Sequence, residues 1–323
     1  MFLYQIINDH VRILGCRGYA GAVCIPEKIE NLPVTELADY AFSNGWGRAG
    51  MLSSANDTLK ICDEEGNPAA AGDKELPPEI ISERLQDIYL PASIKKIGNY
   101  AFYNCFELSH LECFSSITDL GSGLFTGCLK IRNLDIHIVE GSRSCMQGIV
   151  SELRQEIYVN YRIKNMLATL IFPEMYEESV EHTPARIIFR EMHGCGHMYR
   201  YCFDQSEFQF HKYDALFPYV RAQETEEVAV SLALARLYTP FQLLPKDRTV
   251  YEDYIREHLE LAGEAALNES DWFLWLAAEY GKDQQDLDQL IDLASRKNRP
   301  ELLSSLMDLR HVRFPVKKRT FSL

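Results

Sequence analysis

Apolar residues along the first half of the chain recur at two superimposed periods. Within short segments they alternate with polar ones, as in Asp87-Ile88-Tyr89-Leu90 and His110-Leu111-Glu112-Cys113, which is the pattern of a half-buried strand. Across segments the same types return every 23 positions: Leu85, Leu108 and Ile131; Ile88, Leu111 and Leu134; Leu90, Cys113 and Ile136. Ile94, Ile97, Gly98, Phe102 and Cys105 match Ile117, Leu120, Gly121, Phe125 and Cys128 at that spacing. An imperfect earlier copy starts near Val23, with Ile25-Pro26, Ile29, Leu37 and Ala41-Phe42, and carries an insertion around Asn31-Leu32-Pro33.

A period of 20–29 residues opening on L-x-x-L-x-L is the signature of a leucine-rich repeat solenoid. One strand per unit is expected to stack on the next, with Ile88 and Leu90 inward. Phe102 and Phe125 should form an aromatic column, and Cys105 and Cys128 should fill the core as small buried hydrophobes, with a disulfide or metal pair as the alternative. Such units cannot bury their apolar faces singly, so several must stack between caps.

"LPASIKKIGNYAFYNC" and "VCIPEKIENLPVTELADYAF" resemble the BspA-like leucine-rich repeat family of bacteria, whose units read roughly I-P-x-x-V-x-x-I-G-x-x-A-F-x-x-C. The resemblance covers about residues 11–140, and "YQIINDHVRILGCRGYAGAVCIP" is similar to that family's lead-in, a capping hairpin. Leu124 replaces the Ala before Phe125, and Cys113-Phe114 replaces Ile-Pro. The C-terminal region resembles the trailing region of some clostridial leucine-rich repeat proteins of unknown function. It shares Phe172-Pro173-Glu174, Thr183-Pro184-Ala185-Arg186, His193-Gly194-Cys195-Gly196, Tyr199-Arg200 and Tyr213-Asp214-Ala215-Leu216-Phe217.

The expected fold is therefore α+β: a short leucine-rich repeat β/α solenoid of about four repeats, then a mixed hairpin-plus-helical domain. The expected division is 1–140 and 141–323, with residues 45–84 a long, Gly/Pro/acid-rich surface insertion in which Trp46 and Met51 suggest docking. Met146, Ile149, Val150, Leu153 and Ile157 follow helical spacing. Ala168–Phe172 reads as a strand, and Arg186–Glu191 with His197–Phe203 as a hairpin turning at Gly194-Cys195-Gly196. Thr249 and Glu252 suggest a capping box for a helix through Leu267, Ser270 caps another, Asp283 opens a third and Pro300 a fourth. The last two read as a helical hairpin of the ankyrin or HEAT kind. Trp272 and Trp275 read as core anchors.

Charge and cysteine content narrow the function. The net charge is −14, with 12 Lys/Arg against 19 Asp/Glu in residues 1–150 and 21 against 28 in the rest, so neither half is basic. This argues against nucleic acid or an anionic membrane as partner. The one basic cluster is Arg313, Lys317, Lys318 and Arg319, a solvated tail. "MFLYQIINDHVR" lacks the basic region of a signal peptide, and nine cysteines form no framework beyond the repeat. The expectation is a cytoplasmic protein with reduced thiols; the alternative is a cell-surface adhesin whose signal peptide has been trimmed.

Two sites suggest themselves. The outward strand positions Asp87, Tyr89, His110, Glu112, Asn133 and Asp135 form an acidic grid on the concave face, suited to a basic or mixed-charge protein partner. "MHGCGH" places His193, Cys195 and His197 close in sequence, with Cys202 and His211 nearby. These could supply a metal or thiol site if the turn converged them, although the two glycines are equally the residues a tight turn needs. No phosphate loop or dinucleotide pattern is present, so the expected function is non-enzymatic protein binding without a cofactor.

Overall fold

A computed structural model of the 323-residue chain describes residues 1–68, 76–182 and 187–315. It separates into two compact units, Met1–Tyr213 and Asp214–Leu323. In chain order the first unit contains β1 (Phe2–Ile7), β2 (His10–Cys16), β3 (Ala22–Cys24), β4 (Lys28–Ile29), β5 (Leu32–Leu37), α1 (Trp46–Ala55) and β6 (Lys60–Cys62). The repeats follow as β7 (Asp87–Tyr89), β8 (Lys96–Ile97), β9 (His110–Phe114), β10 (Asp119–Leu120) and β11 (Asn133–His137). Then come α2 (Met146–Glu152), β12 (Ile157–Ile163), β13 (Met166–Phe172), β14 (Tyr176–His182), β15 (Ile187–His193), α3 (Gly196–Arg200), β16 (Phe203–Asp204) and β17 (Glu207–Phe208).

The repeats that begin with β3, β7 and β9 each contribute a strand to both of two sheets, whereas β11 adds a strand to the first sheet only. The first sheet runs β3-β7-β9-β11-β12, all parallel, with β13 antiparallel at the end. Its register advances by the sequence period: Ile88 lies beside Leu111, and Leu111 beside Leu134. In the second sheet β5, β8 and β10 align Leu37, Ile97 and Leu120, and the β1–β2 hairpin extends it through the parallel pair β2–β5. Ile88, Leu111, Leu134, Leu90, Cys113 and Ile136 are all buried between the sheets, because strand side chains alternate. Neither sheet closes on itself among the described residues.

The expected aromatic column is present and reaches into the imperfect copy. Phe42, Phe102 and Phe125 stack at centroid distances of 5.7 and 5.6 Å with planes within 13°. Tyr40 stacks on Tyr100 at 5.3 Å in a parallel outer column. The cysteines lie beside the rings as free thiols that donate to the preceding coil: Cys105 to the Phe42 carbonyl at 3.4 Å and Cys128 to the Phe102 carbonyl at 2.9 Å. Gly98 and Gly121 sit where the backbone of the preceding coil passes, at Ala38-Asp39 and Gly98-Asn99; a Cβ at either would overlap main-chain atoms.

Several sequence expectations change. The ladder does not stop near residue 140: β12 continues it, and the contacts divide the chain at 213/214 instead. Ile157 accordingly opens a strand, not a helical turn. Residues 45–84 are not simply loop. Arg48 in α1 is buried; it donates to the Leu14 and Ala41 carbonyls and pairs with Glu79 at 2.9 Å, while β6 pairs with β1. Met51 packs on Leu3, Leu14, Ala38 and Ala55, whereas Trp46 is 95% exposed. The glycine- and alanine-rich stretch 69–75 lies outside the described residues.

The hairpin is β14 with β15, Tyr176 opposite His193, and residues 196–200 form the helix α3 rather than a strand. Arg200 explains this. It is buried and donates to the carbonyls of Val150, Leu153, Pro173, Gly196 and Gln155, and its bond to Gly196, four residues back, uses the helical turn itself. The segment's Thr183-Pro184-Ala185-Arg186 lies outside the described residues.

The second unit is helical: α5 (Phe217–Gln223), α6 (Glu226–Tyr238), α7 (Pro245–Glu257), α8 (Leu259–Ala266), α9 (Ser270–Tyr280), α10 (Gln284–Arg296) and α11 (Pro300–Arg313), preceded by α4 (Phe210–Asp214). α6 packs on α7 and α8, α8 on α9 and α10, and α11 on α9 and α10, so three helical hairpins stack in sequence. Asp283 caps α10 through the Asp286 N–H at 2.9 Å, and Leu287, Leu290, Ile291 and Ala294 are buried as expected. Thr249 is not a cap. It lies inside α7 and its hydroxyl donates to the Pro245 carbonyl, and the expected helix through Leu267 breaks at His258. Trp272 and Trp275 stay half-buried against Tyr238, at 4.8 and 5.3 Å, while Phe273, Leu276 and Tyr280 take the core. An internal ion pair fixes this unit: buried Arg236 meets both oxygens of Asp214 at 2.8 and 2.9 Å, and Tyr251 donates to the same carboxylate at 3.0 Å. Of the basic tail, Arg313 ends α11, and Lys317, Lys318 and Arg319 lie outside the described residues.

Replacing Phe102→Ala removes the middle ring of the column and should cost about 3–5 kcal/mol in denaturant unfolding of the first unit. Tyr100→Ala in the outer column should cost clearly less, because Tyr100 is only partly buried.

Candidate functional site

The outward face of the parallel sheet is where the sequence placed its partner-binding residues. Register alignment puts them in rows. Ala22, Asp87, His110, Asn133 and Tyr158 form one row. Cys24, Tyr89, Glu112, Asp135 and Asn160 form the second, and β13 adds Thr169 beside Asn160. Phe114, His137 and Arg162 form a third. All six predicted residues thus share one face, and the structure brings them together.

They are not, however, a free acidic grid. Two of the three carboxylates, Glu112 and Asp135, are engaged diagonally by residues on neighbouring strands. His110 Nε2 lies 3.1 Å from Asp135 Oδ2, and the Arg162 guanidinium reaches Asp135 Oδ1 at 2.7 Å. Asn160 donates to the same oxygen at 3.2 Å and accepts from Thr169 at 3.2 Å. His137 Nε2 meets Glu112 at 2.8 Å, and its ring stacks on Phe114 at 4.7 Å. Tyr89 presents an edge to His110 at 5.2 Å. Asp135 is thus the hub of a network in which three of its neighbours are donors.

The titration behaviour follows from these contacts. Burial opposes ionisation of Asp135, but the bonds from His110 and Arg162 outweigh it and hold the carboxyl down at about 2. The bond to Asp135 raises His110 above its ordinary value, against the opposing effect of burial. Burial and then the nearby Asp87 carboxylate raise the Tyr89 hydroxyl. Asp87 is engaged more weakly: the Ser109 hydroxyl approaches it at 3.5 Å.

Phe114, His137, Asn160, Arg162 and Thr169 belong to the face and were not predicted. The signal for two of them was in the repeat: Phe114 and His137 are themselves 23 apart and two positions beyond Glu112 and Asp135. Arg162 had no such signal, because the step from β11 to β12 is 25 residues.

The residues of "MHGCGH" part company. His193 ends β15, stacked on Tyr176 at 4.5 Å and beside Glu178 at 3.2 Å. Cys195 is buried, and His197, in α3, bonds to the Gly194 carbonyl at 2.9 Å through Nδ1. Gly194 takes the left-handed conformation with φ 79°, and Gly196 passes so close to the Pro173 carbonyl that a Cβ would collide with it. The glycines thus serve chain reversal and close packing, and the turn they make is not a hairpin turn. Among the described residues no three His, Cys, Asp or Glu side chains are grouped to hold a metal, and no helix is long and apolar enough to cross a membrane.

Residues 81–150 match the family described as BspA type Leucine rich repeat region (6 copies). That segment spans β7 to α2, the part of the ladder that carries all six predicted face residues. Among solved structures the chain is similar to a leucine-rich repeat protein from Bacteroides ovatus, at 14% identity over 50% of this chain and 33% of that one, with a TM-score of 0.27. It is similar to a leucine rich cell surface protein from Faecalibacterium prausnitzii, at 14% identity over 50% and 41%, with a TM-score of 0.26. The Leucine Rich Repeat protein of T. pallidum is a third, at 24% identity over 42% and 68%, with a TM-score of 0.20. The chain thus spans less than half of the first two structures. No curated protein matches it. Residues 81–150 are thus a BspA-type leucine-rich repeat region, set in a chain of mixed strands and helices.

The Asp135 pair sets a pH window. Because its folded pKa of about 2 lies below the ordinary 3.8, its contribution is complete above the ordinary value and fades as pH falls from there. His110 is raised, so the same pair weakens again as pH rises through that raised value. Stability of the first unit should therefore peak between these limits. Asp135→Asn should flatten both flanks and cost about 1–3 kcal/mol at the peak, read by urea unfolding at a series of pH values.

Proposed function

We propose that this protein is a non-enzymatic binding module that engages a protein partner through the outward face of the β7–β9–β11–β12 ladder. In this reading the ladder is a short solenoid of about four coils and the face is its concave side. The observation that carries the reading is the diagonal network. Tyr89, His110, Glu112, Asp135, His137 and Arg162 are held in place by one another before any partner arrives. Such preorganisation reduces the ordering cost of association.

The network also revises the partner's chemistry. With Asp135 neutralised by Arg162 and Glu112 bonded to His137, the face offers both signs. A mixed-charge segment suits it better than a purely basic one, with Asp87, Tyr89 and Asn133 as the groups left to read it. We place the protein in the cytoplasm, where its nine free cysteines fit a reducing compartment; fractionation of the native cell distinguishes this from the cell surface.

Affinity capture from the native cell, followed by mass spectrometry, tests the face. Tyr89→Ala combined with Asp87→Asn should abolish capture of the partner while leaving the melting temperature within a few degrees, since neither side chain is central to the network. Capture that persists in the double variant would place the binding surface elsewhere. Asp135→Asn should weaken capture and stability together.

A further inference from the structure

We propose that the trough between α1 and the second sheet is a binding site for a small amphiphilic carboxylate, its head held by Lys96 and its apolar body lying along α1. The floor is a row that strand register assembles. Gln5, Arg12, Glu36, Lys96 and Asp119 are successive partners across β1, β2, β5, β8 and β10. Neighbouring strands lie about 4.8 Å apart, so the row sets charges of alternating sign side by side. Leu14, two residues beyond Arg12 on β2, is covered by α1, which packs Met51 and Ala55 against it. The helix stops short of the row, and the angle between them is an open cavity of about 530 Å³. That is the size of a small-molecule site, and it joins an apolar wall to a few charged groups, as such sites do.

The charges in the row are unequally committed. Glu36 is turned toward β2: Arg12 Nε donates to its Oε2 at 2.7 Å, and His10 Nε2 lies 3.2 Å from its Oε1. Lys96 is held more loosely. It pairs with Asp119 at 3.3 Å, but the Asp119 side chain lies outside the cavity and is 58% exposed. An ion pair that open contributes little. An anion in the cavity can therefore take the ammonium while Asp119 returns to water. A cationic head would instead compete with Arg12 and His10 for Glu36.

α1 supplies a second, independent sign of an occupant. Gly47 and Gly50 both line the cavity. At Gly47 a Cβ would run into the Tyr40 ring, so packing within the chain demands glycine. At Gly50, in the middle of the helix, a Cβ would meet nothing within 4 Å, and the backbone is helical. Glycine there costs the helix about 1 kcal/mol relative to alanine, and no contact or dihedral within the chain accounts for it. A molecule lying against the helix does: the missing side chain leaves the wall open between Met51 and Ser54 and Lys96 opposite. The trough belongs to the other sheet from the proposed partner face and does not depend on that reading.

The isotope-labelled full chain is titrated by amide NMR with hydrocinnamate, and separately with hydrocinnamyl alcohol, which keeps the apolar body and lacks the charge. The acid should shift the Gly50, Ser54 and Lys96 amides saturably, and the alcohol should bind about tenfold more weakly, for want of a charge-assisted hydrogen bond. Lys96→Gln should lower the affinity for the acid to that for the alcohol and leave the alcohol unchanged. Gly50→Leu should abolish binding of both while the melting temperature holds or rises, because the helix gains propensity. The proposal fails if the acid gives no saturable shift, if its shifts map away from α1 and β8, or if acid and alcohol bind equally. It fails equally if Gly50→Leu binds as the wild type does. Lys96 is at the surface, so its variant decides the matter even if Gly50→Leu does not fold.

Discussion

Every feature of the first unit depends on backbone hydrogen bonds that join one coil to the next at equivalent positions. Before each strand of the main sheet, an N–H donates to the carbonyl one coil back: Gln86 to Gly21, Ser109 to Gln86, Arg132 to Ser109 and Tyr158 to Arg132, at 2.6–3.1 Å. At the second sheet Gly98 donates to Leu37 and Gly121 to Ile97, and at the aromatic corner Phe42 donates to Ala101 and Phe102 to Leu124. Repeats bonded at these three positions are held at strand spacing, about 4.8 Å. At that separation a residue and its equivalent one period later must be mutually compatible in shape. Flat rings satisfy this by stacking, glycine by leaving room for main chain, and a thiol by donating to a carbonyl that the turn leaves open. The repeated residue types are therefore consequences of coil spacing, not independent choices.

This is why the repeat was so readable. A period imposed by backbone contact is printed in the residues that touch from coil to coil, and the alternation within each strand tells which of them face inward. The second strand of each coil was harder to see: β8 and β10 are two residues long, too short for alternation to register, although Ile97 and Leu120 were visible as a matched pair. What could not be read was structure specified by one side chain acting at a distance. The glycines in "WGRAGMLSSA" argue against a helix, and α1 persists because the guanidinium of Arg48 is anchored to Leu14, Ala41 and Glu79. "HMYRYCF" has the composition of a strand, yet Arg200 sits in a helix and makes five carbonyl bonds, three of them to residues more than forty positions away. Buried arginines of this sort leave no periodic trace.

The face was legible as a set of positions but not as an electrostatic object. Counting Asp87, Glu112 and Asp135 gave an acidic surface, because sequence spacing shows which residues share a row and says nothing of diagonals. The diagonals decide the charge. A side chain leaning along its strand meets the neighbour two residues further on in the adjacent strand, so His110 finds Asp135 and Glu112 finds His137, each at a separation of 25. Compensation of this kind makes the face stiff and nearly neutral at its centre. If the face binds as proposed, its selectivity would rest on geometry and on the groups at its margin, and less on long-range attraction.

The ladder must also end, and its two ends are handled differently. An exposed strand edge invites pairing with another chain. At one end β3 is only three residues long, which leaves little edge to pair with. At the other, β12 is seven residues long and would be a strong template. The chain covers it by reversing: β13 pairs antiparallel along the whole of β12, from Ile157 opposite Phe172 to Ile163 opposite Met166. The same reversal completes the face, because it places Thr169 beside Asn160, which in turn supports Asp135. β12, the strand that departs from the repeat period, thus supplies Arg162, the group that neutralises the hub of the face, while its antiparallel partner β13 ends the ladder. A chain cut after the last regular repeat would lose the cap and the charge compensation together, which is why the repeat region and the residues that follow it form one compact unit.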